Sequence, residues 1–276
     1  MLQRTVHSHG VVTYQSPLLR AAGVVHAFST RVGGVSAGVF AALNLGNPGA
    51  GEKDAEANIQ ENYRRLQEAI VAADMPRAWV KQVHGSSVEL IDPEPEGEYG
   101  ETPAAELRDR YAGQISADGM VTALPRVLLT IRVADCVPVL LAAEDGRVVA
   151  AAHAGWRGVV AGVVERALRV MHEAGVNPDR VVAAIGPGIS AEHFEVGEEV
   201  AAEFVRAGLA AAVQSIAGNK PHVDLQAAVR RQLERAGVTR IDGNDVCTFR
   251  DAGDFYSHRR EGGRTGRMAA MIAARA

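Results

Sequence analysis

Three side chains of the kinds that bind transition metals stand at the ends of apolar runs: His84, Cys136 and His153. Two imidazoles and one thiolate are good zinc ligands, and three protein ligands leave a fourth coordination position open for water or substrate. A water on such a zinc can ionise near neutral pH and act as a nucleophile. The separations along the chain, 52 and 17 residues, match no short ligand motif, so the spacing itself leaves this site a hypothesis.

Cys136 and His153 also fit a second kind of chemistry, in which no metal takes part. A thiolate at Cys136 would be the nucleophile, and the imidazole of His153 would be its base. Asp135 or Gln82 would then orient the histidine. The two interpretations differ in what the sulfur does, and the sequence alone leaves both open.

A basic segment near the end of the chain suits an anionic ligand. It places four arginines within nine residues, with glycines between them: Arg259, Arg260, Arg264 and Arg267. Guanidinium forks and exposed backbone amides are good donors to phosphate or carboxylate. The alternative is a solvated basic turn. Arg31, at the end of a predicted strand, is a further candidate for the same ligand, and Asn44 either shapes its own turn or faces that ligand.

The composition narrows the class of partner. Of 276 residues, 47% are hydrophobic and 22% are charged, which is typical of a globular protein. The net charge of −4 argues against a nucleic-acid surface. The most apolar run, residues 133–143, is too short to cross a bilayer, so we expect no membrane partner. Two cysteines cannot form a disulfide framework, and their scarcity favours a cytoplasmic location.

The candidate residues need a scaffold, and the hydrophobic periodicity predicts one that is rich in strands. Apolar and β-branched runs predict strands over 24–30, 79–83, 86–91, 119–122, 127–133, 137–143, 148–152 and 180–185. Helical spacing predicts helices over 53–73, 159–171 and 196–207, and a fourth that is capped by Asp224 and ended by Gly237. Residues 268–275 fit either element. This mixture predicts an α+β fold with a mixed or antiparallel sheet.

Residues 92–114 differ in kind from their surroundings. Prolines and glycines stand there among acidic residues, which is typical of an exposed loop insertion. We see no linker that would divide the chain, so we expect a single domain over 1–276, with this acidic loop on its surface.

Together, these segments resemble the YfiH family, also called the laccase-domain, polyphenol-oxidase or peptidoglycan-editing-factor family. HAGWRG is the most specific of the motifs that carry the resemblance, and the whole set follows the family's order over nearly the full chain. The motifs are FSTR at 28–31, LNLG at 43–46, QVHG at 82–85, ADC at 134–136, HAGWRG at 153–158, GPGI at 186–189, CT at 247–248, SHRR at 257–260 and GRM at 266–268.

The resemblance implies a Zn²⁺ site, with His84, Cys136 and His153 as its ligands and Cys136 also in the catalytic machinery. It implies a zinc-dependent purine nucleoside enzyme that phosphorolyses adenosine, inosine and methylthioadenosine and deaminates adenosine. The implied fold is a layered α/β sandwich with mixed sheets, which some bacterial toxins with a Cys–His pair share. Purine nucleoside and phosphate would be the partners of a monomer or small homo-oligomer.

This chemistry implies further residues around the metal. Asp135 is a candidate catalytic residue because a neighbouring acid must protonate the leaving amine in deamination. Neighbours on a strand point to opposite faces, however, so a role in orienting the site fits Asp135 equally well. We expect the nucleoside and phosphate to be bound by polar and cationic side chains, namely Arg31, Asn44, Gln82, Arg157, Arg259 and Arg260.

Two rival functions follow from the other names of the family. A copper-dependent polyphenol oxidase needs many histidines, typically in His-x-His pairs, whereas this chain has nine histidines and one such pair, His7 and His9. A Cys–His hydrolase of cell-wall precursors would use Cys136 as its nucleophile and need no metal. The sequence also lacks the glycine motifs of dinucleotide and nucleoside triphosphate sites.

Overall fold

Two β-sheets lie face to face between layers of helices in the computed structural model, which describes residues 1–91, 112–215 and 218–276. The strands are β1 Gln3–Val6, β2 Val12–Gln15, β3 Val25–Ser29, β4 Arg77–Lys81, β5 Val88–Ile91, β6 Ala112–Ser116, β7 Gly119–Thr122, β8 Leu128–Val133, β9 Val137–Ala143, β10 Val149–Ala154, β11 Val181–Ile185, β12 Val213–Gln214, β13 His222–Val223, β14 Arg240–Asp242 and β15 Met268–Ala273. The helices of the described part are α1 Pro17–Ala21, α2 Glu56–Ala69, α3 Trp156–Val160, α4 Val163–Glu173, α5 Glu198–Arg206 and α6 Leu225–Arg235.

The two large sheets are both mixed. The first has the order β1-β2-β3-β15-β8-β4-β6, and β4 runs parallel to both of its neighbours. The second has the order β14-β11-β9-β10-β7-β5, with parallel pairs at its two edges. The other pairs of these sheets are antiparallel. The α+β prediction with mixed, layered sheets is therefore confirmed.

Alternating side chains build one apolar layer between the sheets and another beneath each helical layer. In β8, Ile131 packs between the sheets, whereas Leu128 faces the side of α2. In β9, Leu140 packs between the sheets, and Leu141 faces the side of α4 and α6. Strands that are buried on both faces read as continuous apolar runs, which explains the sequence of β9.

Three predictions about elements change in the structure. The helix predicted over 159–171 is two helices, α3 and α4, because Gly162 between them adopts a left-handed φ of 80°. The ambiguous C-terminal segment is a strand, since β15 pairs with both β3 and β8 in the middle of its sheet. Residues 92–111 of the predicted loop lie outside the described residues, and 112–114 are the start of β6 rather than loop.

The remaining helix predictions agree well with the structure. Asp224 caps α6, since its side chain accepts a hydrogen bond from the backbone N–H of Ala227 at 2.8 Å.

Within the described ranges, no helix combines the length and apolar character that crossing a membrane would require.

Candidate metal centre

The structure brings His84, Cys136 and His153 together at one end of the two sheets. His84 lies in the loop between β4 and β5, Cys136 in the turn between β8 and β9, and His153 near the end of β10. Their candidate ligand atoms all lie within 4.8 Å of one another. Zinc–nitrogen and zinc–sulfur bonds are about 2.0–2.3 Å long, so small side-chain movements would let all three reach one ion.

The HAGWRG motif leaves space for this cluster. A Cβ atom at Gly155 would lie 3.1 Å from both Cys136 Sγ and His84 Cδ2, and 3.7 Å from His153 Cε1. A Cβ atom at Gly158 would lie 2.8 Å from the carbonyl oxygen of Gly85. The first glycine therefore keeps room beside the three ligands, and the second lets α3 pack closely on the loop that carries His84.

A buried carboxylate, Asp118, connects two of the three ligands. Its Oδ1 lies 2.8 Å from Nδ1 of His153 and accepts the backbone N–H of His84 at 2.9 Å. Its Oδ2 accepts the N–H groups of Val83 and Gly85. Donation from Nδ1 of His153 leaves Nε2 of that ring free to bind a metal, and it fixes the orientation of the ring. Asp118 thus positions both histidines.

Reasoning from the sequence missed Asp118. It stands in the short turn between β6 and β7, in the sequence ADG, where an aspartate is expected simply to shape the turn. Its full burial distinguishes it from an ordinary turn residue, but burial is a tertiary property. A weak signal was present, because an Asp-Gly pair that directly precedes an apolar strand lies at a strand end, as the ligands do.

In the metal-free protein, Cys136, His153 and Asp118 stabilise one another's charged forms. Burial opposes ionisation of the Cys136 thiol, but the charge of His153 and hydrogen bonds from both histidines lower its pKa below the usual range. Burial also opposes protonation of His153, while Cys136 and Asp118 raise its pKa. Burial would raise the pKa of Asp118, and the hydrogen bonds from His153 and the backbone lower it. The site therefore favours a thiolate, which is the form that binds metals.

Asp135 is occupied by a different part of the chain. Its Oδ1 accepts a hydrogen bond from Thr248 Oγ1 at 2.7 Å, and its Oδ2 accepts from Ser257 Oγ at 3.0 Å and from the backbone N–H of Arg259 at 2.7 Å. These contacts favour the second of the two roles considered above, in which Asp135 orients its surroundings. They also hold the residue at a left-handed φ of 84°, which residues with side chains rarely adopt.

A cavity of about 630 Å³ opens over the three ligands. This volume is within the range of small-molecule sites, about 300–1,000 Å³. One part of its wall is apolar and comprises Val133, Trp156, Ile189, Phe194 and Leu225. The rest is mostly polar and includes Asn47, Gln82 and His258 beside five cations, which we call the cationic wall, and Asp135 is the single carboxylate among the described lining residues. The cations are Lys81, Arg132, Arg157, Arg259 and Arg267.

Three of the residues predicted to bind substrate line this cavity. Gln82 is one of them, although its amide is bound to the backbone of Arg132. The Arg157 guanidinium lies 4.3 Å from the centre of the Trp156 ring. Arg259 lies over Phe194 and donates to the carbonyl of Glu195.

The other three are not among the described lining residues of the cavity, so the structure adds no support to the prediction that they bind a ligand. Arg31 donates to the carbonyl of Ala41, lies over the Tyr256 ring and faces Glu261. Arg260 donates to three backbone carbonyls of its own region and to Glu261. Asn44 is fully buried. Each has its polar atoms bound within the protein, whereas the sequence showed only their charge or polarity.

The chain matches one known family over almost its whole length. The sequence profile of the family described as multi-copper polyphenol oxidoreductase laccase matches residues 25–275, so the chain belongs to this laccase-domain family. Among its relatives is a purine nucleoside phosphorylase of Deinococcus radiodurans, 42% identical over 258 residues, which are 93% of this chain and 92% of the relative. The purine nucleoside phosphorylase YfiH of Escherichia coli is 36% identical over 253 residues, covering 91% and 93% of the two chains.

Solved structures share the whole architecture. YlmD from Geobacillus stearothermophilus has a TM-score of 0.84 and 29% identity, and the match covers 99% of both chains. A protein of Neisseria meningitidis has a TM-score of 0.79 and 34% identity, over 96% of this chain and 99% of the other. The layered sandwich is therefore the fold of this family.

Proposed function

We propose that this protein is a purine nucleoside phosphorylase whose active site contains a zinc ion bound by His84, Cys136 and His153. The observation that carries the proposal is the cavity over these ligands, because it combines an apolar wall with a cationic one. A purine base suits the first surface and a phosphate suits the second. Two relatives with 42% and 36% identity are named purine nucleoside phosphorylases, which supports the same substrate class.

In phosphorolysis a phosphate oxygen bonds to the anomeric carbon of the ribose while the bond to the base nitrogen breaks. The chain's own contribution is to hold both reactants. Trp156, Phe194 and Leu225 bury the base, and the cationic wall binds the phosphate and offsets the repulsion of its charge. Asp118 keeps the two histidines in place. The metal, when bound, supplies a Lewis acid that polarises a substrate oxygen or nitrogen.

Zinc is proposed over the copper that the family's description suggests. Two imidazoles with one thiolate suit either metal, so the donor set alone does not separate them. Multi-copper oxidation, however, requires several metal sites. The described residues contain one group of three or more possible ligands, and His7, from the His-x-His pair, contacts Thr13 instead. Metal analysis of the purified protein should give one zinc per chain, and several coppers per chain would overturn this assignment.

The substrates are proposed more finely as adenosine, inosine and methylthioadenosine, with deamination of adenosine to inosine as a second activity. The test is product analysis with each nucleoside, with and without inorganic phosphate. Adenine, hypoxanthine and methylthioadenine should form only with phosphate, and inosine should form from adenosine without it. Free base that forms equally well without phosphate would show a hydrolase, and no base in either case would exclude phosphorolysis.

A second candidate function rests on the same residues without metal. Cys136, His153 and Asp118 are arranged like a nucleophile, its base and the group that orients the base. A Cys–His hydrolase would use this arrangement on an amide or ester. Complete metal removal by a chelator distinguishes the two, since we expect it to abolish turnover and expect added zinc to restore it. Full activity in the metal-free protein would favour the hydrolase.

A further inference from the structure

Two arginines of the cavity lining lie on neighbouring strands: Arg267, from the basic segment near the end of the chain, and Arg132, which belongs to none of the sequence motifs. Arg132 is the last residue but one of β8, and Arg267 directly precedes β15, which is the antiparallel neighbour of β8. The register pairs Arg132 with Ala269, so Arg267 is its diagonal neighbour on the same face of the sheet. Diagonal neighbours are about 7–8 Å apart, which allows two long side chains to reach one small anion. Both line the 630 Å³ cavity, as Cys136 does.

Each of these arginines has its backbone fixed by an amide side chain. Gln82 Nε2 donates to the carbonyl of Arg132, and Gln82 Oε1 accepts the N–H of Arg132, both at 2.8 Å. Asn44 Oδ1 accepts the N–H of Arg267 at 2.9 Å. Gln82 and Asn44 were both predicted to bind substrate. The structure instead shows them holding the main chain of the two arginines, which is a way to preorganise a binding pair.

A glycine makes room for one of the two side chains. A Cβ atom at Gly46 would lie 2.8 Å from Cδ and 3.1 Å from Nη1 of Arg132. Gly46 belongs to the same LNLG motif as Asn44, and its own N–H is bound by Asn44 Oδ1. The motif therefore positions Arg267 through its asparagine and admits Arg132 through its glycine.

The two cations have no acid of their own. No carboxylate among the described residues forms an ion pair with either guanidinium, and Arg267 donates only to the carbonyls of Thr265 and Gly266. Burial lowers the pKa of Arg267 and so does the nearby charge of Arg132, against the opposing effects of Cys136 and of the more weakly acting carboxylates Asp135 and Glu261. Two like charges held together beside a cavity are unfavourable until an anion joins them.

We propose that Arg132 and Arg267 form the subsite for inorganic phosphate, which rests on the phosphorolysis proposed above. Phosphate bound there would lie beside the metal ligands, where a nucleophile for the ribose is needed. The predicted candidates Arg31 and Arg260 are already bound to carbonyls and Glu261. Neither arginine of the pair forms an ion pair with a described carboxylate, although Arg267 donates to two carbonyls, and an amide side chain fixes the backbone of each.

The test is calorimetric titration of inorganic phosphate into the metal-loaded protein and three variants. Arg132→Gln and Arg267→Gln should each weaken phosphate binding by about 10- to 100-fold, since each removes charge-assisted hydrogen bonds. Arg264→Gln is the matched control, because Arg264 belongs to the same basic segment but is exposed and faces Glu52. It should bind phosphate within about twofold of the wild type. Equal binding by all variants, or no binding by the wild type, would overturn the subsite.

Steady-state kinetics then separate this subsite from the proposed function. Arg132→Gln and Arg267→Gln should raise KM for phosphate and leave KM for the nucleoside nearly unchanged, an asymmetry that general loss of structure does not produce. If a Gln variant does not fold, the Lys variants decide, because lysine keeps the charge without the guanidinium fork. Phosphate binding that depends on the pair without any release of purine base would refute only the phosphorylase. Phosphorolysis with an unchanged KM for phosphate would refute only the subsite.

Discussion

Two buried aspartates near the candidate metal ligands bind different parts of the chain. Asp118 binds the N–H groups of three consecutive residues around His84 and the ring of His153. Asp135 binds Thr248, Ser257 and the backbone of Arg259, all from the C-terminal part of the chain. One carboxylate organises the metal ligands, and the other attaches the segment that supplies part of the cationic wall.

The two aspartates divide the proposed site into two halves, each held by its own buried acid. The metal half comprises the ligands and Asp118, and the anion half comprises the arginines of the cavity and Asp135. Asp135 is covalently next to the ligand Cys136, yet its carboxylate serves the anion half. Asp118 is 35 residues from His153 along the chain, yet its carboxylate contacts that ring. Adjacency in sequence therefore does not reveal which half a residue serves.

Replacing Asp118 should have the largest effect, and it should fall on the metal half. In Asp118→Ala the three loop N–H groups and Nδ1 of His153 lose their acceptor, so we expect about 3–5 kcal/mol of destabilisation. Loss of such a ligand-orienting carboxylate typically weakens metal affinity by about 10- to 100-fold. Urea denaturation and competition for zinc with a chromophoric chelator measure the two effects. Wild-type zinc affinity in a folded variant would remove Asp118 from the metal half.

Replacing Asp135 should spare the metal. Asp135→Ala leaves three donors of the C-terminal part without their acceptor, and we expect about 2–3 kcal/mol of destabilisation. Because no metal ligand is bonded to this carboxylate, zinc affinity should stay within about twofold of the wild type, while KM for phosphate rises. The same zinc competition and phosphate kinetics apply. A decrease in zinc affinity as large as in Asp118→Ala would show that the two halves are not independent.

His26 is a reference group far from both halves in sequence, and burial affects its pKa more than the opposing charges of Arg20 and Asp242 in its surroundings. It is buried, and Ser16 N–H donates to its Nε2 at 2.8 Å. Burial lowers its pKa from 6.5 to about 4. The unfolded chain therefore takes up a proton as the pH falls below 6.5, while the folded protein does so only near 4. The free energy of unfolding consequently decreases as the pH falls.

This difference should cost about 2 kcal/mol between pH 7 and pH 5. Denaturation of metal-free protein at the two pH values measures it. The variant His26→Gln should show a smaller decrease, although its stability at pH 7 is lower. An equal pH dependence in the variant would mean that other groups, such as those of the site, determine the loss of stability in acid.

The residues of the proposed metal half stand out in the sequence more clearly than those of the proposed anion half, for physical reasons. His84, Cys136 and His153 are rare residue types at the ends of apolar runs, so they stand out in the chain. Arg132 does not, because it occupies one position of a strand that is apolar apart from Thr130 and Arg132 itself. Whether an arginine faces a cavity or donates to backbone carbonyls, as Arg260 does, depends on the loops around it.

Some strands can be predicted from their own sequence, whereas others are defined only by the strands with which they pair. β9 was predicted with its observed bounds, because a strand buried on both faces has a continuous apolar pattern. β15 was left open between strand and helix, since alanine suits both. It is a strand because it pairs with both β3 and β8. The sequence of one segment does not show which strands it will pair with.

Replacing Gln82 should have the smallest effect. It tests the boundary between the two halves most directly, because Gln82 and His84 belong to one motif but to different halves. Gln82 holds the backbone of Arg132 by two hydrogen bonds, whereas Asp118 holds the backbone of His84. In Gln82→Leu we expect KM for phosphate to rise about 3- to 10-fold, as expected for the loss of roughly one net hydrogen bond, with zinc affinity unchanged. His84→Ala, its matched comparison, should lose zinc. If Gln82→Leu loses zinc as well, the motif acts as one unit, and the boundary between the halves lies elsewhere.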